Sequence, residues 1–598
     1  MELGVFLPVG VWSLVLLGFL TSCTRSNSPT SSHPLPASAL VSACEPGQPG
    51  GRLTLVGPGT PRTFNPLFAT DAASDGIVRL LFGSLINLNM ITQEAGPGLA
   101  ESWTVEPDGK TWTFKLRQGV RWSDGAFLTA GDVVFTWNKI MYNPQLNSAS
   151  YDLFRIGGTN FSVTNPDNFT VRVVTPEVFA PFLEFFGPVP VLPRHTLEPA
   201  IQAHRFPLAY APETPPERIV GCGPYRLKEF RPGKFTLLVR NSEYWVTDRQ
   251  HQRLPYFDEV LINAGAGPGA DTALFLNDQS DVCETLRPED YAQLQQASTN
   301  GHFRLLELGP GTERDFLWFN QNTGTNPAGK PLVEPAKLKW FRNKKFRQAI
   351  SCAIDRDRIA REAYGGRAQA ISTFISAENR KWYNPDVPRY GFDLTKAKAL
   401  LAEVGLQDRH GTRVLEDESG NRAEILFNSN LGNPLRAKAA ALIQEDLSKI
   451  GIKLLHAPLD FRVLETKVSR TYDYECALMG LAGGSIDPAS QVNVLRSSED
   501  LHQWFPLQKT PATDWEARID WLMDAQMRTL DFPRRKRYFD EVQTILAEQQ
   551  PMICTVSPLA SAALRLNLTN LRPTVLTPYH LTWNLEELFV GRAQTSAH

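Results

Sequence analysis

Acid–base chemistry has ample raw material in this chain of 598 residues, with 63 Asp and Glu and ten His, but the spacing assembles none of it. The ten histidines stand singly and no H-E-x-x-H occurs, so nothing resembles the helix that holds a peptidase zinc. No G-x-S-x-G is present, which excludes the exposed serine of a hydrolase elbow. Gly109-Lys110-Thr111 ends like a phosphate loop, yet Thr104 stands where its first glycine belongs. Six cysteines follow Cys23 (Cys44, Cys222, Cys283, Cys352, Cys476 and Cys554), and none forms C-x-x-C. A zinc or thioredoxin-type site is therefore not expected, and the 15 ways of pairing six thiols stay open. Cys352 and Cys476 sit among apolar residues and read as core thiols. A catalytic carboxylate pair needs two acids that meet in space, which spacing alone does not show. The chemistry read here is thus no catalytic set, no cofactor and no metal. A hydrolase with an unrecognised site remains the enzymatic alternative.

One cysteine does sit in a reactive pattern. Residues 5–20 are nearly all apolar, too short for a comfortable membrane span, and lead into Leu20-Thr21-Ser22-Cys23. Small residues before a Cys look like a bacterial lipobox, in which the thiol is lipidated before cleavage. The expectation is a signal peptide over 1–22 and a lipid on Cys23. Glu2, with no Lys or Arg before the apolar run, departs from the usual positive start. Residues 23–50 are dense in Ser, Pro, Gly and Ala and read as a flexible tether. A formal net charge of −2 gives no reason to expect nucleic acid as a partner. With 42% hydrophobic and 21% charged residues, the body is of globular composition with ample core.

The elements that would position a site are plain in places. The stretch 99–141 alternates apolar residues through Trp103 and Val105, turns at Pro107-Asp108-Gly109, and alternates again through Trp112, Phe114 and Leu116. Thr129 three residues before Asp132 has the spacing of a helix capping box, and Val133, Trp137, Ile140 and Met141 follow at helical intervals. Trp103, Trp112, Trp122 and Trp137 read as core. A strand over 52–56, a helix over 71–85, strands over 169–174 and 316–320, and a helical face of Phe346, Ala349, Ile350 and Ala353 follow. Helices over 395–405, 435–450 and 531–550, with strands over 452–455 and 551–554, complete an α/β pattern without a short repeat.

Several of these segments carry a resemblance. GLAESW, DGKTWTFKLRQGVRWSDG and LTAGDVVFTW within 98–137, GCGPY with its hairpin and Asn-x-x-Tyr-Trp ending over 221–245, and FRQAISCAIDR over 346–356 resemble the family 5 extracytoplasmic solute-binding proteins. These serve oligopeptide, dipeptide and nickel ABC importers. The resemblance implies a two-lobed, type II periplasmic-binding-protein-like α/β fold with a subdomain inserted in the first lobe. It places lobe I at 51–98, 217–265 and 553–598, the inserted subdomain at 99–216, and lobe II at 266–552. It further implies a monomer, lipid-anchored in the periplasm or at the outer surface of the cytoplasmic membrane, that captures a peptide or peptide-like solute and delivers it to an ABC permease. A sensor or folding helper on the same scaffold is the non-transport alternative. By position in the resemblance, the cleft residues are Phe64, Asn65, Asn320, Gly484, Ser485 and Asp487. In peptide-binding members the ligand's backbone pairs with the protein's, and an Asp meets its α-amino group. Counting back from Pro488, Gly484 occupies that Asp position, so the usual amine anchor is absent unless Asp487 or Asp473 supplies the charge.

Overall fold

The structure, a computed structural model, describes residues 33–146, 154–265, 267, 269–481, 483 and 485–591. Strand β1 (Arg52–Gly57) buries Leu53 and Leu55 on one face. The stretch 99–141 then folds as its alternation predicts, into the hairpin β2 (Ala100–Val105) and β3 (Thr111–Leu116). Asp108 tightens the turn by accepting the amides of Lys110 and Thr111 at 2.9 and 3.0 Å. Helix α1 (Ala130–Phe135) starts at the Thr129–Asp132 capping box and widens into a π-helical turn at Thr136–Met141. Strands β4 (Ser162–Asp167) and β5 (Thr170–Val174) complete an antiparallel sheet of order β2-β3-β5-β4. The short helix α2 (Phe182–Phe186) stacks Phe186 on Trp137 and Phe182 on Trp112, with centroids 4.0 and 4.8 Å apart. Trp112, Trp122 and Trp137 are buried, whereas Trp103 on the edge strand β2 is only half-buried. Strands β6 (Tyr225–Arg231), β7 (Phe235–Arg240) and β8 (Glu259–Ala264) join β1 in the order β6-β7-β8-β1, the last pair parallel. One continuous core spans both sheets, from Leu53 and Val260 to Trp122 and Phe186.

The Ser/Pro-rich segment corrects the expected free tether. From residue 33 it lies along this lobe: Leu40–Val41 pairs in parallel with Val246–Thr247, the Ser38 carbonyl accepts Arg117 at 2.6 Å, and Cys44 is buried. Backbone pairing, the buried Cys44 and Leu40 packed on the same core dock a segment whose composition alone favours solvent. Residues 1–32, with the expected signal peptide and Cys23, lie outside the described residues.

The second lobe is built differently. Strand β9 (Arg304–Pro310), still on the first lobe's core, runs straight into β10 (Arg314–Phe319), where the second lobe begins. Helix α3 (Lys344–Ala353) follows, then β11 (Glu424–Ser429), α4 (Pro434–Ser448), β12 (Lys453–His456), β13 (Cys476–Leu481), α5 (Phe532–Gln549) and β14 (Met552–Cys554). The sheet has the order β12-β11-β13-β10-β14, with α3 and α4 packed on one face and α5 on the other. Buried on both faces, β10 reads as an unbroken apolar run from Phe316 to Phe319. From β14 the chain returns through Thr555 to β15 (Val556–Leu564), which pairs with β9. The lobes are thus linked by two neighbouring passages, over 311–313 and at Thr555. These are stitched by Gly311 N–H to the Pro558 carbonyl, Thr555 N–H to the Asp315 carbonyl (both 2.9 Å), and the Ser557 hydroxyl to the Glu313 carbonyl (2.7 Å).

Arg347 and Asp355 hold α3 and its neighbour: Arg347 donates to the carbonyls of Phe341 and Gln549, and Asp355 caps the amide of Arg358. The six described cysteines are buried and unpaired. Among the described residues, no helix is long and apolar enough to cross a membrane.

Candidate functional site: the interlobe cleft

Where the two passages cross, the lobes leave a cleft of about 770 Å³. Its first wall is formed by 285–289 and 575–578 with His580, its second by Glu313, Tyr364, Gly432–Arg436 and Gly483, and its floor by β15 from Pro558 to Ser561. Thr312 belongs both to this cleft and to two smaller cavities behind it, of about 30 and 110 Å³.

The charged groups of the second wall come from the start of β10. Asp315 is buried and accepts Nε and Nη2 of Arg436 at 3.1 and 2.7 Å, and the Tyr364 hydroxyl at 2.5 Å. Burial pushes the Tyr364 hydroxyl pKa up, so it stays a donor, with the Asp315 charge adding to the shift. Glu313 lies 3.7 Å from the same guanidinium, its side chain 55% exposed. Desolvation first, and then the Asp315 charge, raise the Glu313 carboxyl above its ordinary pKa. One arginine therefore serves two carboxylates, leaving the wall with an excess negative charge at Glu313. The cluster sits over Gly480 of β13, where a Cβ would come within 2.3 Å of Arg436, 2.9 Å of Asp315 and 3.0 Å of Glu313.

A second charged group closes the rim. Asp487 is fully buried, caps the turn at Ala489, and pairs with both terminal nitrogens of Arg535 at 2.7 Å. Facing it from the first lobe is Glu184 of α2, held by Lys381 at 2.9 Å. Burial, and then the Asp487 charge, push the Glu184 carboxyl up to about 7.

The sequence candidates divide accordingly. Asp487 and Ser485 line the smaller of the back cavities, and Asp487 is held in its turn as its place before Pro488 suggests. Gly484 lies outside the described residues. Phe64, Asn65 and Asn320 are corrected, because none lines the cleft. Phe64 packs edge-on against Phe230 in the core of the first lobe. Asn65 folds back on the Leu67 amide and the Ala209 carbonyl. Asn320, fully buried, donates to the carbonyls of Tyr472 and Tyr474. Each is committed to packing or hydrogen bonds within its own lobe, which a match by position does not distinguish from facing a ligand. Asp473 is 76% exposed and pairs with Lys467, away from the cleft. Glu313, Asp315, Tyr364 and Arg436 are not among the residues that the sequence singles out. Their one local signal is three successive charges opening an apolar strand. Among the described residues, no group of three His, Cys, Asp or Glu is placed to hold a metal ion.

Two α/β lobes joined by paired crossing strands, with a large charged cleft between them, define a solute-binding protein. The chain matches bacterial extracellular solute-binding proteins, family 5 (middle), over residues 94–503, and it belongs to that family. It is 28% identical over 528 residues to a probable ABC transporter-binding protein of Deinococcus radiodurans, covering 85% of this chain and 86% of that one. It is 26% identical over 592 residues to the oligopeptide-binding protein AppA of Bacillus subtilis, covering 97% of each. The solved structure of AppA in complex with a nonapeptide shares the fold, with a TM-score of 0.65 at 23% identity over 92% of this chain and all of that one.

Proposed function

We propose that this protein captures a peptide or peptide-like solute between its lobes and hands it to an ABC permease, anchored outside the cytoplasmic membrane by a lipid on Cys23. The observation that carries the reading is the cleft of about 770 Å³ at the crossing strands, a volume suited to a ligand of several residues. AppA, similar over nearly the whole length, is an oligopeptide-binding protein whose structure contains a nonapeptide. The lobes divide at the crossings 311–313 and Thr555, with 99–216 inserted in the first. The expected boundary at 265 is corrected, because the segment up to Pro310 pairs with Val556–Leu564 and packs on the first lobe's core. A ligand touching both walls favours the closed arrangement by its differential contacts. The excess negative charge at Glu313 takes the place of the missing acid at Gly484 in attracting the amine end.

Native mass spectrometry of freshly purified protein, followed by release and sequencing of the ligand, tests this reading. A bound peptide is expected. Added peptide pools should raise the melting temperature, because a hundred-fold excess over Kd adds about 2.7 kcal/mol. Empty protein that no pool stabilises would overturn the peptide reading. A mature N-terminus without lipid at Cys23 would overturn the anchor alone.

A further inference from the structure

Arg314 stands between Glu313 and Asp315, and alternation along the strand turns it away from the main cleft into the two back cavities. It is 5% exposed and, among the described residues, has no carboxylate partner. Its two hydrogen bonds are long, 3.3 Å each, to the neutral oxygens of Thr312 and Gln491, and its Nε has no partner among the described residues. One face rests on the Phe374 ring, 4.3 Å from the centroid. Burial lowers its pKa to about 10.

The other buried arginines of this lobe are provided for. Arg436 has Asp315 and Arg535 has Asp487. Arg347 and Arg356 lack carboxylates but each makes at least two bonds of 2.7–2.8 Å to carbonyl oxygens. Neither borders the cleft or its two back cavities. Arg314 alone combines a buried, undersatisfied guanidinium with open space, and a buried charge of that kind is costly until a counter-charge arrives.

We propose that Arg314 and the cavities beyond it form a subsite for a carboxylate of the bound solute, so that the protein prefers peptides or peptide-like acids that place a carboxylate there. The inference rests on the peptide reading above. Thr312 borders the main cleft and both back cavities, so a solute lying in the cleft reaches Arg314 around one side chain. The larger cavity, about 110 Å³, has several times the room one water needs and accepts a carboxyl-bearing group. Arg389 adds a second guanidinium to its lining, and Glu313 is the one acid there. In the smaller cavity Asp487 is the one acid, and Arg535 already neutralises it. An arriving carboxylate would meet Arg314 in short charge-assisted bonds of about 2.7–2.9 Å.

The test uses random peptide pools of three to six residues, prepared as free acids or as C-terminal amides, each with or without Asp and Glu. Calorimetry on wild type, Arg314→Gln and Arg314→Lys reads the affinity. Wild type should bind pools with a carboxylate at least about tenfold more tightly than fully neutral pools, the size of one charge-assisted bond. Arg314→Gln should abolish that preference, and Arg314→Lys, which keeps the charge without the fork, should retain part of it. Amides containing Asp or Glu that bind as well as free acids identify a side-chain carboxylate. Loss on amidation alone identifies the C-terminus. Equal binding of neutral and acidic pools by wild type, or an undiminished preference in Arg314→Lys and Arg314→Gln, would sink the inference while the peptide reading stands. Failure of every pool to bind sinks both. Should Arg314→Gln not fold, the wild-type preference and its reduction in Arg314→Lys decide.

Discussion

Glu184 holds its proton unusually well for a carboxyl group, because burial and the Asp487 charge outweigh the Lys381 ammonium beside it. In the unfolded chain it titrates near 4.5, in the native protein at about 7. Between those values the native state keeps a proton that the unfolded chain has released. By linkage, its stability falls as pH rises through that window and is flat above it. The expected loss between pH 5 and 7.5, relative to Glu184→Gln, is about 2 kcal/mol. Urea titrations of both proteins across that range measure it, and parallel curves would show that the carboxyl is not perturbed. Asp487 illustrates what sequence shows at this scale. Its place before Pro488 marks a turn residue. Its pairing with Arg535 on α5 is a tertiary event with no local trace. Phe64, Asn65 and Asn320 err for the same reason, since a loop position matched to a family does not say which way the side chain faces.

Elements were legible where one periodicity governs them. The hairpin β2–β3, the capped helix α1 and the apolar half of β10 follow from alternation, turn residues and capping spacing. The charged half of β10 did not, because Glu313-Arg314-Asp315 looks like a loop until β13 pairs with it, Arg314 opposite Leu481 and Asp315 opposite Gly480. Gly480 is what allows the pairing to carry a charged cluster. Gly480→Ala puts a methyl group 2.3 Å from the Arg436 guanidinium and 2.9 Å from Asp315, so the pair must move. Overpacking of this kind costs about 1–3 kcal/mol. The variant should melt lower and give a smaller rise with peptide pools than wild type. An unchanged melting temperature together with full peptide stabilisation would mean that Arg436 swings aside at no cost and that the cluster is not part of the wall.

At the scale of the whole molecule, the two-lobed class was legible through its motifs, but the contacts that set the angle between lobes were not, since they join residues hundreds of positions apart. They lie on the rim, away from the two crossing passages. Lys381 of the second lobe reaches Glu184 at 2.9 Å and both Glu94 and the Gln93 carbonyl at 3.3 Å. The Gln93 side chain donates to the Glu378 carbonyl at 2.6 Å, the Ala180 amide to the Met527 carbonyl at 2.6 Å, and Arg528 pairs with Glu177 at 3.0 Å. A hinge at 311–313 and Thr555 opens only if these bonds break, so they set the balance of open and closed forms before any solute arrives. Lys381→Ala removes three of them and leaves Glu184 facing Asp487 without a cation. If they favour closure by about 1.4 kcal/mol, the closed-to-open ratio falls tenfold, and peptide affinity weakens by no more than that factor. Small-angle scattering should then show a larger radius of gyration for the ligand-free variant than for ligand-free wild type, with the two profiles converging at saturating peptide. Ligand-free profiles that superimpose would show that the rim contacts do not govern closure and that the crossing strands set the angle by themselves.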